Sequence, residues 1–128
     1  MRIEEIMDKN KVLLIGASLN PEREAYHVLR ILIARKYPVT AIGLKEATLD
    51  GLPIITGTPY VENVHTITLY INAKNQEPLY EYIFGLHPKR IIFNPGAENP
   101  ELMKLAIDKG IDAFEACSHV MLSQGIFD

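Results

Sequence analysis

A single α/β domain built on a doubly wound, mostly parallel sheet is the fold class this sequence predicts. Three observations predict it. Short apolar, β-branched runs alternate along the chain with segments of helical period. The links between them are short. The run Val12-Leu13-Leu14-Ile15-Gly16-Ala17-Ser18-Leu19-Asn20-Pro21-Glu22-Arg23 reads as strand, small-residue turn and helix start in immediate succession. At 128 residues the chain has the size of one domain, taken as residues 1–128, and no linker, low-complexity tract or repeat divides it.

Val12 to Ile15 is apolar without interruption, as expected of a strand covered on both faces. Gly16, Ala17 and Ser18 then let a ligand approach the backbone closely. Asn20 reads as an N-cap and Pro21 as the first helical residue, whose fixed φ is already helical and whose missing N–H has no intrahelical partner to lose. A helix from Pro21 to about Lys36 places Ala25, Val28, Leu29, Leu32 and Ile33 on one stripe, and Pro38 ends it. Val39 to Leu44 is a second strand, Asp50-Gly51 and Pro53 mark a loop, and Ile54-Ile55 is a short third strand. Thr66 to Ile71, β-branched and aromatic, is the fourth.

A helix from about Gln76 to Phe84 turns Leu79, Tyr82, Ile83 and Leu86 inward. Arg90 to Phe93 is the fifth strand, and Asn94-Pro95-Gly96-Ala97 is a tight turn. Asn99-Pro100-Glu101 repeats the Asn-Pro-Glu of positions 20–22 and reads as the same capping solution; the helix it opens stops at Lys109-Gly110. Ile111 to Glu115 is the last strand. Right-handed crossovers give the order 3-2-1-4-5-6.

Ligands of such sheets sit outside the carboxyl ends of the strands where the strand order reverses, here between the first and fourth strands. Four segments meet there: the turn from Gly16 to Arg23, the strand end at Leu44-Lys45, the strand end at Ile71-Asn72-Ala73 and the turn Asn94-Pro95-Gly96. Free N–H groups of the first turn, with the positive end of the helix dipole, suit a phosphate. A dinucleotide fingerprint is absent: the turn offers only Gly16, and the second strand ends in Lys45 where an acidic residue would hold ribose hydroxyls. A cation there fits a phosphorylated ribose, which both coenzyme A and NADP carry.

The combination Gly16-Ala17-Ser18, Asn20-Pro21-Glu22-Arg23, Tyr26, Asn94-Pro95-Gly96-Ala97-Glu98-Asn99 and Glu115-Ala116-Cys117 resembles the CoA-binding domain proteins, stand-alone relatives of the N-terminal domain of the succinyl-CoA synthetase α subunit. The likeness runs from about position 11 to 127. It implies a Rossmann-like fold that binds coenzyme A or an acyl-CoA, with Gly16, Ala17, Ser18 and Arg23 at the pyrophosphate and Lys45 at the 3′-phosphate. Asn20, Asn72, Asn94 and Gly96 complete the candidate cofactor-binding set. The chain departs from the family pattern at Gly43-Leu44, where a proline often precedes the lysine, at Tyr37-Pro38, where a glycine usually stops the first helix, and at His27, where relatives often carry a basic residue.

Charge and composition bound the partners. With 48% hydrophobic and 23% charged residues the chain is globular, and a net charge of −3 disfavours broad nucleic-acid or anionic-membrane binding. The adjacent cations Arg35-Lys36 and Lys89-Arg90 read as solvated surface at the far end of the sheet. The charged N-terminus Met1 to Ile6 has no apolar signal core and no stretch is long enough to span a bilayer, so a soluble cytoplasmic protein is expected. One cysteine and four scattered histidines give no metal-ligand spacing. No catalytic residue is assigned: Cys117 reads as a buried structural thiol, the other reading being a thiol that exchanges with CoA disulfide, and His27 as a helix-surface or partly packed histidine. Tyr60, Tyr80 and Phe127 are candidates for a subunit contact.

Three functions compete on this reading. The first is a CoA-holding or sensing module, alone or with a protein partner or second copy. The second is a partner-dependent enzyme of acyl-CoA metabolism, since the chain ends where the synthetase's second domain would begin. The third, an NADP-dependent oxidoreductase, lacks the second and third fingerprint glycines.

Overall fold

The computed structural model describes residues 9–128; the charged segment Met1 to Ile6 lies outside them. Seven strands form one sheet: β1 (Val12–Ala17), β2 (Val39–Gly43), β3 (Ala47–Leu49), β4 (Leu52–Ile55), β5 (Thr66–Leu69), β6 (Arg90–Phe93) and β7 (Asp112–Glu115). Their order is β3-β4-β2-β1-β5-β6-β7. All pairings are parallel except β3 with β4. The Rossmann-like α/β architecture is as expected, with one strand more at the edge. Asp50 and Gly51, both at positive φ (48° and 85°), are the central pair of a two-residue hairpin between β3 and β4, where a plain loop was expected. Three residues are too few to show the alternation by which a strand is read.

The helices are α1 (Glu24–Ala34), α2 (Ala73–Gln76), α3 (Tyr80–Gly85), α4 (Pro100–Asp108) and α5 (Ser118–Ser123), with a 3-10 turn at Glu77–Leu79. The single helix expected from Gln76 to Phe84 is broken in two. Pro78 sits in that 3-10 turn, where it has no N–H to give and its ring opposes a continuous helix. The short α5 has no sequence period to announce it and was not expected.

Covering both faces explains the unbroken apolar β1. Val12 and Leu14 point to one side, into a core with Val28, Leu29 and Leu32 of α1, Leu122 of α5 and Phe127. Leu13 and Ile15 point to the other, with Ile83 of α3, Leu102 and Ala106 of α4, and Ile67, Leu69, Ile91 and Phe93 of the neighbouring strands. Each such side chain contributes about 1.5–3 kcal/mol by leaving water. Ala25, Val28, Leu29 and Leu32 are buried as the stripe predicts, and Ile33 is half-buried.

Two surface expectations are corrected at the far end of the sheet. Arg90 is not solvated: its Nε donates to Thr66 Oγ1 at 2.9 Å, its guanidinium lies 4.9 Å from the Phe127 ring centre, and only 8% of the residue is exposed. Phe127 is core, 1% exposed, and Tyr80 donates to Glu101, so of the three aromatics considered for a contact only Tyr60 stands out of the fold. No helix among the described residues is long and apolar enough to cross a membrane.

Candidate functional site

β1 pairs with β2 on one side and β5 on the other, so the reversal of strand order falls between β1 and β5 as expected. The carboxyl ends of these strands carry the candidate segments. A register shift between Ile15 and Ala17 sets Ala17 opposite Gly43, which brings the chain past β1 alongside Leu44 and Lys45. Gly16 is required by this geometry. Its φ is +107°, and a Cβ there would stand 2.9 Å from the Tyr70 backbone just past β5. The Tyr70 N–H donates to the Ile15 carbonyl at 2.8 Å, which holds the two strand ends together. Gly16 thus serves the contact between strands; its smallness is used by the protein itself.

The turn after β1 differs from the expected helix start. Asn20 does not cap α1: its Oδ1 accepts from the Glu22 N–H at 3.0 Å, its carbonyl accepts from the Arg23 N–H at 3.0 Å, and its own N–H donates to Ser18 Oγ at 3.0 Å. These bonds make Asn20 to Arg23 a separate turn, so Pro21 is not the first helical residue. The helix begins at Glu24 with Arg23 as its N-cap, and the Arg23 side chain makes no capping bond. The N–H groups of Ser18, Leu19, Glu24 and Ala25 consequently donate to no protein acceptor among the described residues. Arg23 and Lys45 are exposed, and neither side chain forms a hydrogen bond or ion pair among the described residues. These donors and cations belong to segments at the carboxyl ends of β1 and β2.

The remaining candidates stand at the same end but are already engaged. Asn72 caps α2, its Oδ1 accepting from the Asn75 N–H at 2.9 Å. Asn94 is fully buried. Its Nδ2 donates to Thr68 Oγ1 (2.7 Å) and to the Leu69 carbonyl (2.9 Å), while its Oδ1 accepts from the Ser118 N–H (2.8 Å). Thr68 Oγ1 and Ser118 Oγ are 2.9 Å apart, which closes a buried network joining β5, β6 and α5. The Gly96 N–H donates to Glu98 Oε1 at 2.9 Å. These groups are satisfied within the fold.

Cys117 is half-buried, not buried, and is the N-cap residue of α5. Beneath it the Tyr70 hydroxyl is enclosed without a hydrogen-bond partner, and burial, with Cys117 adding a smaller push, raises its pKa well above the ordinary tyrosine range. His27 lies exposed on α1 and its Nε2 donates to the Pro21 carbonyl at 2.7 Å. His119 of α5 meets Glu24 of α1, Nδ1 to Oε2 at 2.8 Å. That pair escaped the reading of the sequence because 95 residues separate its members. Leu44, named with Lys45 at this strand end, is 97% exposed, an apolar side chain left in water. No group of three or more His, Cys, Asp or Glu among the described residues could hold a metal.

A family model described as "CoA binding domain" matches residues 10–123. The chain belongs to the CoA-binding domain family. No curated protein matches it. Among solved structures, one described as the crystal structure of an uncharacterized protein is 41% identical, with a TM-score of 0.88 over 93% of this chain and 98% of that one. A hypothetical protein from Pyrococcus horikoshii OT3 is 21% identical (TM-score 0.80; 98% and 89% covered), and a protein from Thermus thermophilus is 17% identical (TM-score 0.80; 99% and 100% covered). The last two share the fold.

Proposed function

We propose that this family member binds coenzyme A or an acyl-CoA in the crevice between β1 and β5, as a sensor or ligand-holding module. The diphosphate lies against the N–H groups of Ser18, Leu19, Glu24 and Ala25, with Gly16 and Ala17 setting the backbone and Arg23 supplying charge. Lys45 meets the 3′-phosphate. Asn20 holds the turn open by capping it in place of the helix, and Asn72, Asn94 and Gly96 fix the walls.

One observation carries this reading: four backbone donors and two cations at the switch point have no partner among the described residues. Such donors are left to water in the free protein, and an anion replaces that water at little cost because the donors are already fixed in place. Isothermal titration tests it. Coenzyme A is expected to bind about tenfold tighter than dephospho-CoA, the size of one charge-assisted contact, and Lys45→Gln is expected to erase the difference. Equal affinities in the unaltered protein would remove Lys45 from the site, and no binding of either nucleotide would end the proposal.

A further inference from the structure

Glu24 is an awkward neighbour for a diphosphate. As the first residue of α1 it suits the helix dipole, yet its carboxylate repels any anion held by the same first-turn N–H groups. Its side chain remains 59% exposed, and its partner is the His119 imidazole, itself 36% exposed. A carboxylate only accepts, so the proton in the 2.8 Å bond sits on Nδ1 of His119, and Nε2 is the atom that gains or loses one.

The surroundings tie this imidazole to the turn. His27 stacks on His119 with ring centres 6.4 Å apart and planes 15° from parallel. Its Nε2–H donates to the Pro21 carbonyl, so His27 is anchored to the turn that precedes α1. On α1, Arg23 caps the helix, Tyr26 meets His27 edge-on at 5.2 Å, and Arg30 is paired with Asp50 of the hairpin at 2.9 Å. Glu22 stands in the turn, and Cys117 shares one open cavity with Glu24 and His119. Arg30 is thus committed to Asp50, and among the described residues the group bonded to Glu24 is His119.

We infer that His119 is a proton-linked counter-charge to Glu24, a positioning residue that sets how strongly the adjacent turn holds an anion. With the imidazole protonated, the pair is neutral and the free N–H groups and Arg23 dominate the crevice. Without that proton, the pair carries a net negative charge beside the bound diphosphate, so anion binding and proton uptake at His119 favour each other. The inference rests on the diphosphate reading above, and its ligand class is the diphosphate ester.

Dephospho-CoA is the suitable probe, because it keeps the diphosphate and lacks the 3′-monophosphate, which itself titrates near pH 6. Its affinity is expected to be roughly fivefold higher at pH 6 than at pH 8, as for a partly exposed charge contact. Glu24→Gln is expected to bind at pH 8 about as tightly as the unaltered protein does at pH 6, and His119→Gln to bind at both pH values as the unaltered protein does at pH 8. A merely structural role for the pair would weaken binding without flattening the profile. Binding with no pH dependence, or a dependence that survives His119→Gln, overturns this inference and leaves the coenzyme A reading standing. Failure of coenzyme A and dephospho-CoA to bind the unaltered protein and Glu24→Gln at either pH overturns both.

Discussion

The units β1–α1 and β6–α4 carry the same Asn-Pro-Glu tripeptide between strand and helix, and the two tripeptides do different work. Asn99 is buried and caps α4, its Oδ1 accepting from the Leu102 N–H at 3.1 Å with Pro100 at the first helical position. Its Nδ2 donates to Gln76 Oε1 and to the Tyr80 hydroxyl, each at 2.9 Å. Asn20 is exposed, has no such neighbours and closes a turn of its own, and the helix starts after it. A capping side chain held from behind satisfies a helix end; one held by nothing folds onto its nearest N–H and leaves the helix end open. The first unit leaves donors without a protein partner among the described residues, and the second uses its own within the fold.

The helix ends make the converse pair. Both α1 and α4 finish in a Schellman motif, with Tyr37 N–H on the Leu32 carbonyl and Ile111 N–H on the Ala106 carbonyl, each at 3.0 Å. The left-handed residue is Gly110 (φ 81°) in one and Lys36 (φ 63°) in the other. Lys36 therefore holds a left-handed conformation that favours glycine, at a small conformational cost.

Four sets of substitutions separate the two units, in order of expected effect. Gly16→Ala forces a Cβ against the Tyr70 backbone at a φ that L side chains avoid, and is expected to cost about 3 kcal/mol in urea unfolding; a loss below about 1 kcal/mol would mean that β1 and β5 do not close on each other there. Asn99→Ala is expected to lose about 2 kcal/mol, because a cap disappears and buried partners are orphaned, whereas Asn20→Ala loses about 0.5 kcal/mol or less and weakens coenzyme A binding instead. Equal losses would show that the two turns are equivalent after all. Arg23→Gln is expected to reduce coenzyme A affinity about tenfold in titration with the melting temperature of the free protein unchanged, as suits an exposed charge without a protein partner. Lys36→Gly is expected to stabilise by about 0.5–1 kcal/mol, and Gly110→Ala to destabilise by about as much, both read from denaturant midpoints.

Residues whose role is local were legible without coordinates. The strand β6 from Arg90 to Phe93, the apolar stripe of α1 and the cap at Asn99 follow from spacing, propensity and one hydrogen bond between near neighbours. Arg90 escaped that logic because its burial comes from Thr66 and from Phe127, far along the chain. The edge strand β3 escaped because three residues show no period, and α5 because six residues show too little. Within the candidate site, Gly16, Ala17, Ser18, Arg23 and Lys45 could be placed at one strand end by topology, but the inward commitment of Asn94 depends on Thr68 and Ser118, which reach it from two other elements.

Periodicity and residue size act over a few neighbouring positions, and they suffice to read an α/β sheet covered on both faces, a reversal beside β1 and a small-residue turn after it. Only the tertiary structure decided which asparagine caps a helix, which amides stay free and which histidine meets Glu24. Those outcomes turn on partners brought together from distant segments, where a hydrogen-bonding group takes whichever acceptor the packed chain puts within 3 Å or so.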